Sequence, residues 1–326
     1  MTVLVTGAAG FIGFHASLAL LAAGETVVGV DSVNAYYDPS LKEARLKRLA
    51  EHGRFTFHRL DIADRDAVTA VIGRHPDITR VVHLAAQAGV RYSLVDPFAY
   101  TRANVEGQLV LLEACRGLER LDHFVFASSS SVYGGNTKLP FSVNDPVDTP
   151  LSLYAATKRA GELISHAFAH VYGMPITGLR FFTVYGPWGR PDMAAFIFVR
   201  KILAGEPVEV FNNGDMKRDF TYIDDIIAGL MACVAKPPAA GKGRPPFKLY
   251  NIGNNASEPL MRFISVLEKT LGKKAEVAFR PMQTGDVKET YADIAETARD
   301  FGFKPTTPID VGLPKLVAWY RDYYGV

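Results

Sequence analysis

Hydrophobic positions alternate between two spacings along the first 180 residues. Short runs rich in aliphatic and β-branched residues occupy 2–6, 26–30, 55–60, 80–85, 123–127 and 176–182. Between them, residues 11–23, 66–72, 100–116 and 153–172 repeat their apolar positions at helical spacing, and Asp38-Pro39 opens a charged helix that reaches Gly53. Runs that are apolar on both faces fit strands covered on two sides. Strand–helix alternation implies parallel pairing with right-handed crossovers, so the predicted fold class is α/β with a doubly wound parallel sheet.

After Phe182 the rhythm changes. Residues 187–191 are irregular, 194–203 and 224–235 helical, and 208–211 a short strand. Residues 237–246 form a Pro/Gly/Lys surface loop, 248–252 return to the sheet, and the remainder mixes helices with one strand at 276–279. The division expected is a nucleotide-binding domain of 1–181 and 222–252, with a smaller mixed α/β domain of 182–221 and 253–326.

Composition narrows the classes. A hydrophobic fraction of 48% over 326 residues buries a sizeable core and excludes disorder as the main state. With 36 basic and 34 acidic side chains the net charge is +2, which gives no field for nucleic acid or an anionic membrane. The positive charges of 42–48 read as a solvated helix face. No run of 18 apolar residues exists to span a bilayer, and no cleavable leader is expected ahead of the first strand. Cys115 and Cys233 sit in apolar helical patterns, as free buried thiols would in a reducing, cytoplasmic compartment. No Cys or His cluster has ligand spacing, so no metal site is expected.

The first strand runs into Thr6-Gly7-Ala8-Ala9-Gly10-Phe11-Ile12-Gly13, a GxxGxxG turn ahead of a helix. Gly7 permits the tight turn, Gly10 the approach of a pyrophosphate, and Gly13 close packing of helix on sheet. The helix start, Phe11 and Ile12, brings amide donors and the positive dipole end to phosphates. Asp31, 18 residues after Gly13, ends the second strand; a carboxylate there accepts both ribose hydroxyls and repels a 2′-phosphate, favouring NAD over NADP. Asp61 after the third strand bonds the adenine amino group with Ile62 against the ring, or else caps the next helix. This makes the sheet Rossmann-like.

Four serines, 128–131, end the fifth strand, at the sheet edge where ligands bind. Tyr154 and Lys158 share one helix face, 25 residues after Ser129. A free tyrosine titrates near 10, and a neighbouring ammonium and the nicotinamide cation would lower that value. Tyr154 then takes a proton from a sugar hydroxyl while hydride leaves the same carbon, Lys158 holds the nicotinamide ribose, and Ser129, with Ser130 beside it, bonds the reacting oxygen.

These residues resemble the extended short-chain dehydrogenase/reductase family over essentially the whole chain, and within it the UDP-glucuronate 4-epimerases. The resemblance rests on DPSLK (38–42), LAAQAGVRYS (84–93), SLYAATK (152–158), RFFTVYGPWGRPDM (180–193), NNG (212–214), RDFTYIDD (218–225) and the segment 281–286. It implies permanently held NAD, a UDP-sugar substrate and inversion at C4 through a 4-keto sugar. Asn34, Leu84, Ala85 and Ala86 complete the implied cofactor contacts. The 4,6-dehydratases of the family carry Asp-Glu after the active-site hydroxyl and the decarboxylases a Glu; Ser130 and Ser131 stand there here. Galactose-type epimerases carry Asn where this chain has Thr183, and Arg where it has Gln283. A glucuronyl carboxylate needs donors, for which Thr183 and Arg190 are the first choice and Arg91 with Ser93 the reserve. Arg218 matches the diphosphate contact, Phe211 and Asn212 flank uridine, and Asp286 bonds the uridine ribose. Other UDP-hexose epimerases, a decarboxylase and a non-catalytic NAD-binding regulator are the competing readings. The resemblance also implies a homodimer through helices 100–116 and 153–172, with Val105, Leu109, Leu112, Ile164 and Phe168 at suitable spacing.

Overall fold

Strand β1 (Thr2–Thr6) begins the chain inside its own core, with all five residues buried. It is followed by α1 (Phe11–Ala22), β2 (Thr26–Asp31), α2 (Ser40–Ala50), β3 (Phe55–Arg59), α3 (Arg65–Arg74) and β4 (Ile78–His83). A helical stretch then runs as α4 (Pro97–Thr101), a π turn (Arg102–Glu106) and α5 (Gly107–Cys115), before β5 (His123–Ser129), α6 (Leu153–Tyr172) and β6 (Ile176–Phe181). Next come β7 (Thr183–Tyr185), α7 (Ala194–Ala204), β8 (Val208–Val210), β9 (Lys217–Arg218), β10 (Phe220–Tyr222), α8 (Ile223–Val234) and β11 (Phe247–Ile252). The chain ends with β12 (Glu258–Pro259), α9 (Leu260–Leu271), β13 (Val277–Phe279), α10 (Ala295–Phe301) and α11 (Ile309–Tyr324). This computed structural model describes every residue except 242 and 284, which fall within the 237–246 loop and the 281–286 segment singled out above.

Seven strands pair in the order β11-β6-β5-β4-β1-β2-β3, all parallel. The sheet is doubly wound, as the alternation implied. Val3 and Val5 join the core shared with α1, α2 and α8, while Leu4 between them joins the core shared with α3, α5 and α6. The order reverses between β1 and β4, which opens a crevice at the C-terminal strand ends. The chain leaves the sheet after β6 and returns as β11 beside it. Outside the sheet, β7 pairs with β10, β8 with β13, and β9 with β12.

Several boundaries differ from the sequence reading. The strand expected at 80–85 stops at His83, because Leu84 and Ala85 donate their amides to the carbonyl and hydroxyl of Thr6. The helix expected at 100–116 starts at Pro97 and is interrupted by the π turn. Strands β7, β9, β10 and β12, of two or three residues, are too short for alternation to signal. Leu112 and Phe168, two of the positions at suitable spacing for a dimer contact, are buried in the core that α3 shares; Leu109 is exposed, as is Leu163.

Helix α6 has the bounds the sequence predicts. Ser152 caps its start by accepting the Ala155 amide at 3.1 Å, and Gly173 ends it with φ +67°. It is fastened to the sheet by a buried ion pair. Arg180 of β6 donates to both oxygens of Glu162, Nε at 2.8 Å and Nη2 at 2.9 Å, and Ser128 of β5 donates to the same carboxylate at 2.6 Å. Burial opposes the charge on Glu162, and Arg180 more than offsets it, holding the carboxyl below its ordinary range. Glu162→Gln leaves the Arg180 cation buried without its counter-charge. It should cost about 3–5 kcal/mol, read as a shift of the urea unfolding midpoint without a change of slope.

Candidate active site

The glycine turn is built by close approaches that only hydrogen allows. Gly7 has φ +72°, and a Cβ there would lie 2.7 Å from the Ala85 nitrogen. A Cβ on Gly13 would lie 1.9 Å from the Gly7 carbonyl oxygen, and one on Gly10 at 2.9 Å. Helix α1 starts at Phe11 with no side chain capping it, so its first amides are left for a ligand. Asp31 braces the turn, accepting the Ala9 amide at 3.1 Å and the Val33 amide at 2.7 Å, and both oxygens keep lone pairs for ribose hydroxyls. Asn34 accepts the Lys42 ammonium at 2.7 Å and keeps its NH2 as a donor. Asp61 accepts the Ala63 amide and pairs with Arg102 at 3.1 Å; the cap of α3 is Asp64 instead, which settles the alternative role considered for Asp61. Ile62 packs under Gly107 of α5, where a Cβ would meet it at 2.7 Å. Beyond Leu84, Ala85 and Ala86, the buried Gln87 side-chain nitrogen finds no acceptor among the described residues. An uncapped helix start, an acid at the end of β2 and this orphan donor fit a dinucleotide with a nicotinamide carboxamide.

Behind the turn stands Arg45 of α2, fully buried. It donates to the Ala9 carbonyl at 2.8 Å, the Tyr37 hydroxyl at 2.9 Å and the carbonyls of Trp188 and Gly189 at 2.5 and 3.1 Å. None of its ion-pair distances falls within 4.0 Å of a carboxylate among the described residues. Arg45 therefore ties the glycine turn to the loop that carries Arg190. Trp188, held at φ +61°, packs against Phe14, Trp319 and Tyr323.

Ser129 ends β5 and caps the short turn that begins at Ser130, accepting the Ser131 amide at 3.2 Å. Tyr154 lies edge-on to Tyr100, ring centres 6.0 Å apart. Burial raises the Tyr154 phenol, while a hydrogen bond with Ser129 and the charge of Arg190 pull it down. The sequence reading expects a neighbouring ammonium and the nicotinamide cation to lower it; in the folded chain burial outweighs the pull of Ser129 and Arg190, and the phenol is raised above its ordinary value. Burial lowers the Lys158 ammonium to about 8, against a raising influence from Glu162 one turn on. His83 beneath it is fully buried, 2.7 Å from the Thr6 hydroxyl, and burial lowers it to about 3, so it stays neutral. Asn104 in the π turn accepts the Gln87 amide at 2.8 Å and donates to the Gln87 carbonyl and to Thr157 at 3.0 Å. It joins the loop after β4 to the helix of Tyr154.

At the opposite end the candidate sugar contacts fall into two groups. Arg190 makes a two-point pair with Asp192, Nε to Oδ1 at 3.1 Å and Nη2 to Oδ2 at 2.5 Å. Burial opposes the Asp192 charge and Arg190 overcomes it, keeping the carboxyl below its usual range. The Tyr36 hydroxyl donates to the same carboxylate at 3.0 Å. Thr183 opens β7, its amide bound to the Asp219 carbonyl and its hydroxyl without a partner among the described residues. The second group lies further out. Arg91 stacks over the Phe211 ring at 4.9 Å, and Arg218 pairs with Asp286 at 2.7 Å, with Arg91 close enough to act on the Arg218 charge. The Ser93 hydroxyl is used on the Val90 carbonyl at 2.6 Å, and the Asn212 side chain on the Asp215 carbonyl at 2.7 Å. Arg91 and Arg190 thus stand in different groups.

Residues 3–253 match the NAD dependent epimerase/dehydratase family. The chain belongs to that family. It is an NAD-dependent enzyme, and its class of chemistry is epimerisation. It is 48% identical to UDP-glucuronate 4-epimerase 1 of Arabidopsis thaliana over 341 residues, which cover 100% of this chain and 78% of that one. It superposes on the crystal structure of UDP-glucuronic acid 4-epimerase from Bacillus cereus in complex with UDP-glucuronic acid and NAD, with TM-score 0.91, 37% identity, and coverage of 99% of this chain and 100% of that one. The UDP-glucose 4-epimerase of Thermotoga maritima with UDP-glucose is similar too, at TM-score 0.88, 29% identity, and 99% and 100% coverage.

Sequence reasoning missed Asp192, Tyr36, Asn104, Glu162 and Arg45. Asp192 stood inside a quoted segment, two residues from Arg190, which was signal enough for a pair; the others depend on contacts between distant segments. Lys158 gives a pH test. Between about pH 8 and 10.5 the unfolded chain holds more protons at this lysine than the folded one. The group's cost to stability is therefore full below pH 8 and disappears as pH rises to 10.5. Lys158→Met should lose about a hundredfold or more in kcat, yet gain stability over the parent below pH 8, with the gain fading by pH 10.5 in urea unfolding.

Proposed function

We propose that this enzyme interconverts UDP-glucuronate and UDP-galacturonate. The observation that carries the reading is the helix face of Tyr154 and Lys158 beside the strand end at Ser129, with the Arg190 cation near enough to act on the Tyr154 phenol and serines and no acid at 130 and 131. A cation beside the proton-transfer group suits a sugar that brings a carboxylate, and the missing acid removes the group that elimination or decarboxylation needs. Resemblance to UDP-glucuronate 4-epimerases supports the same substrate.

In this reading Tyr154 removes the C4 hydroxyl proton, and Ser129 with Ser130 steadies the oxygen as it becomes a ketone. NAD, when bound, accepts hydride from C4 and returns it to the opposite face. Lys158 holds the nicotinamide ribose, and Gly7, Gly10, Phe11, Ile12, Gly13, Asp31, Asn34, Asp61, Ile62 and 84–86 hold the rest of the cofactor. Arg218, Asp286, Phe211, Asn212 and Arg91 hold the UDP end, which must stay fixed while the 4-keto sugar turns. Thr183 and Arg190 take the carboxylate and keep it out of the alignment that C–C cleavage of a β-keto acid requires. The cofactor belongs to 1–181 with 222–252, and the UDP-sugar to 182–221 with 253–326. We place the enzyme in the cytoplasm as a homodimer, its contact centred on exposed Phe98, Leu109 and Leu163. Among the described residues, no helix is long and apolar enough to cross a membrane.

Parallel product analysis with UDP-glucuronate, UDP-glucose and UDP-xylose tests the substrate; turnover confined to UDP-glucose would overturn it. Tyr154→Phe should lower kcat about a hundredfold or more while UDP-sugar binding survives in calorimetry. Arg190→Ala should weaken UDP-glucuronate binding by about ten- to a hundredfold and UDP-glucose binding little. Because Arg190 also pulls the Tyr154 phenol down, the ascending limb of kcat against pH should move to higher pH with both sugars.

A further inference from the structure

The two-point face of Arg190 is already filled by a carboxylate that belongs to the chain. Nε and Nη2 run parallel to Oδ1 and Oδ2 of Asp192, the geometry in which a guanidinium grips any carboxylate. Asp192 therefore stands where an incoming carboxylate would bind best. Its side chain is 28% exposed, and that of Arg190 22%, so the pair can part and the Asp192 charge can reach water. A second tie is also in place. Tyr36, from the loop between β2 and α2, donates to Asp192 Oδ2 and packs on Tyr92 with ring centres 4.9 Å apart. Gly89, at φ +98°, leaves room for that hydroxyl, since a Cβ there would sit 2.7 Å from it. Asp192 thus keeps one donor when Arg190 leaves it.

We infer that Asp192 is a specificity-determining residue that acts as a resident competitor for the sugar carboxylate. The inference rests on the reading that Arg190 receives the carboxylate of UDP-glucuronate. A carboxylated sugar exchanges one anion for another on Arg190, and Asp192 swings onto Tyr36 and water. A neutral hexose has no anion to offer, so the Arg190–Asp192 pair stays closed around it. The competitor weakens the grip on the carboxylate, which keeps the 4-keto sugar free to turn between its two faces.

Calorimetric titration of the NAD-loaded protein with UDP-glucuronate and UDP-glucose separates the possibilities. Asp192→Asn keeps the hydrogen bond to Tyr36 and removes the competing charge. It should bind UDP-glucuronate about three- to tenfold tighter, with UDP-glucose unchanged and KM following the same split. Asp192→Ala, which also removes the tie to Tyr36, should show the same selective gain. Weaker or unchanged binding of UDP-glucuronate in both variants, or an equal change for both sugars, would overturn the competitor role and leave Asp192 as a support for Arg190. Arg190→Ala is measured alongside: a selective loss for UDP-glucuronate upholds the reading beneath this inference, and equal affinities would remove that reading itself.

Discussion

The buried contact of Glu162 with Arg180 and Ser128 sets the geometry on which the chemistry depends. Glu162 lies one helical turn beyond Lys158 and two beyond Tyr154, so all three share a face of α6. Its partners sit on β6 and on the strand position before Ser129. One carboxylate therefore fixes both the helix that carries Tyr154 and Lys158 and the strand end that carries Ser129. The contact also works electrically: Glu162 favours the ammonium of Lys158 in a place where burial opposes it. The same carboxylate anchors α6 and adjusts the charge of its active face.

Around that anchor the site separates two electrostatic tasks. The outer group, Arg218 with Asp286 and Arg91 over Phe211, offers cations that are each partly answered by an acid or an aromatic ring. In the proposed function this suits an anchor that holds a diphosphate and still releases it. The inner group, Arg190 with Asp192 and Tyr36, lies close enough to Tyr154 to influence its proton.

Much of this was legible in the sequence, for local reasons. Strand–helix alternation implied the parallel sheet, and the bounds of α6 followed from its long helical run, which Ser152 caps and Gly173 ends in the structure. The glycine turn was readable because its three glycines serve close approaches within a few residues. What was hidden depends on long separations or broken periods. The π turn at Asn104 adds one residue to a helix whose pattern looks continuous. The sides of Leu112 and Phe168 were not readable because both helices are apolar on more than one side, and only packing shows which side meets the sheet. The Tyr36–Asp192 contact spans 156 residues and leaves no trace in either segment. The pull of Arg190 on the Tyr154 phenol was equally hidden, because Arg190 arrives from another loop.

Arg45 carries an implication for how the enzyme keeps its cofactor. A fully buried guanidinium that meets carbonyls and a phenol leaves an unbalanced positive charge behind the glycine turn. A dinucleotide pyrophosphate held at that turn would supply the answering anion. The dinucleotide then completes the charge balance of the interior, and its departure would strand a cation in a low-dielectric setting. Loss of a bound dinucleotide would then carry an electrostatic cost inside the protein as well as at its surface.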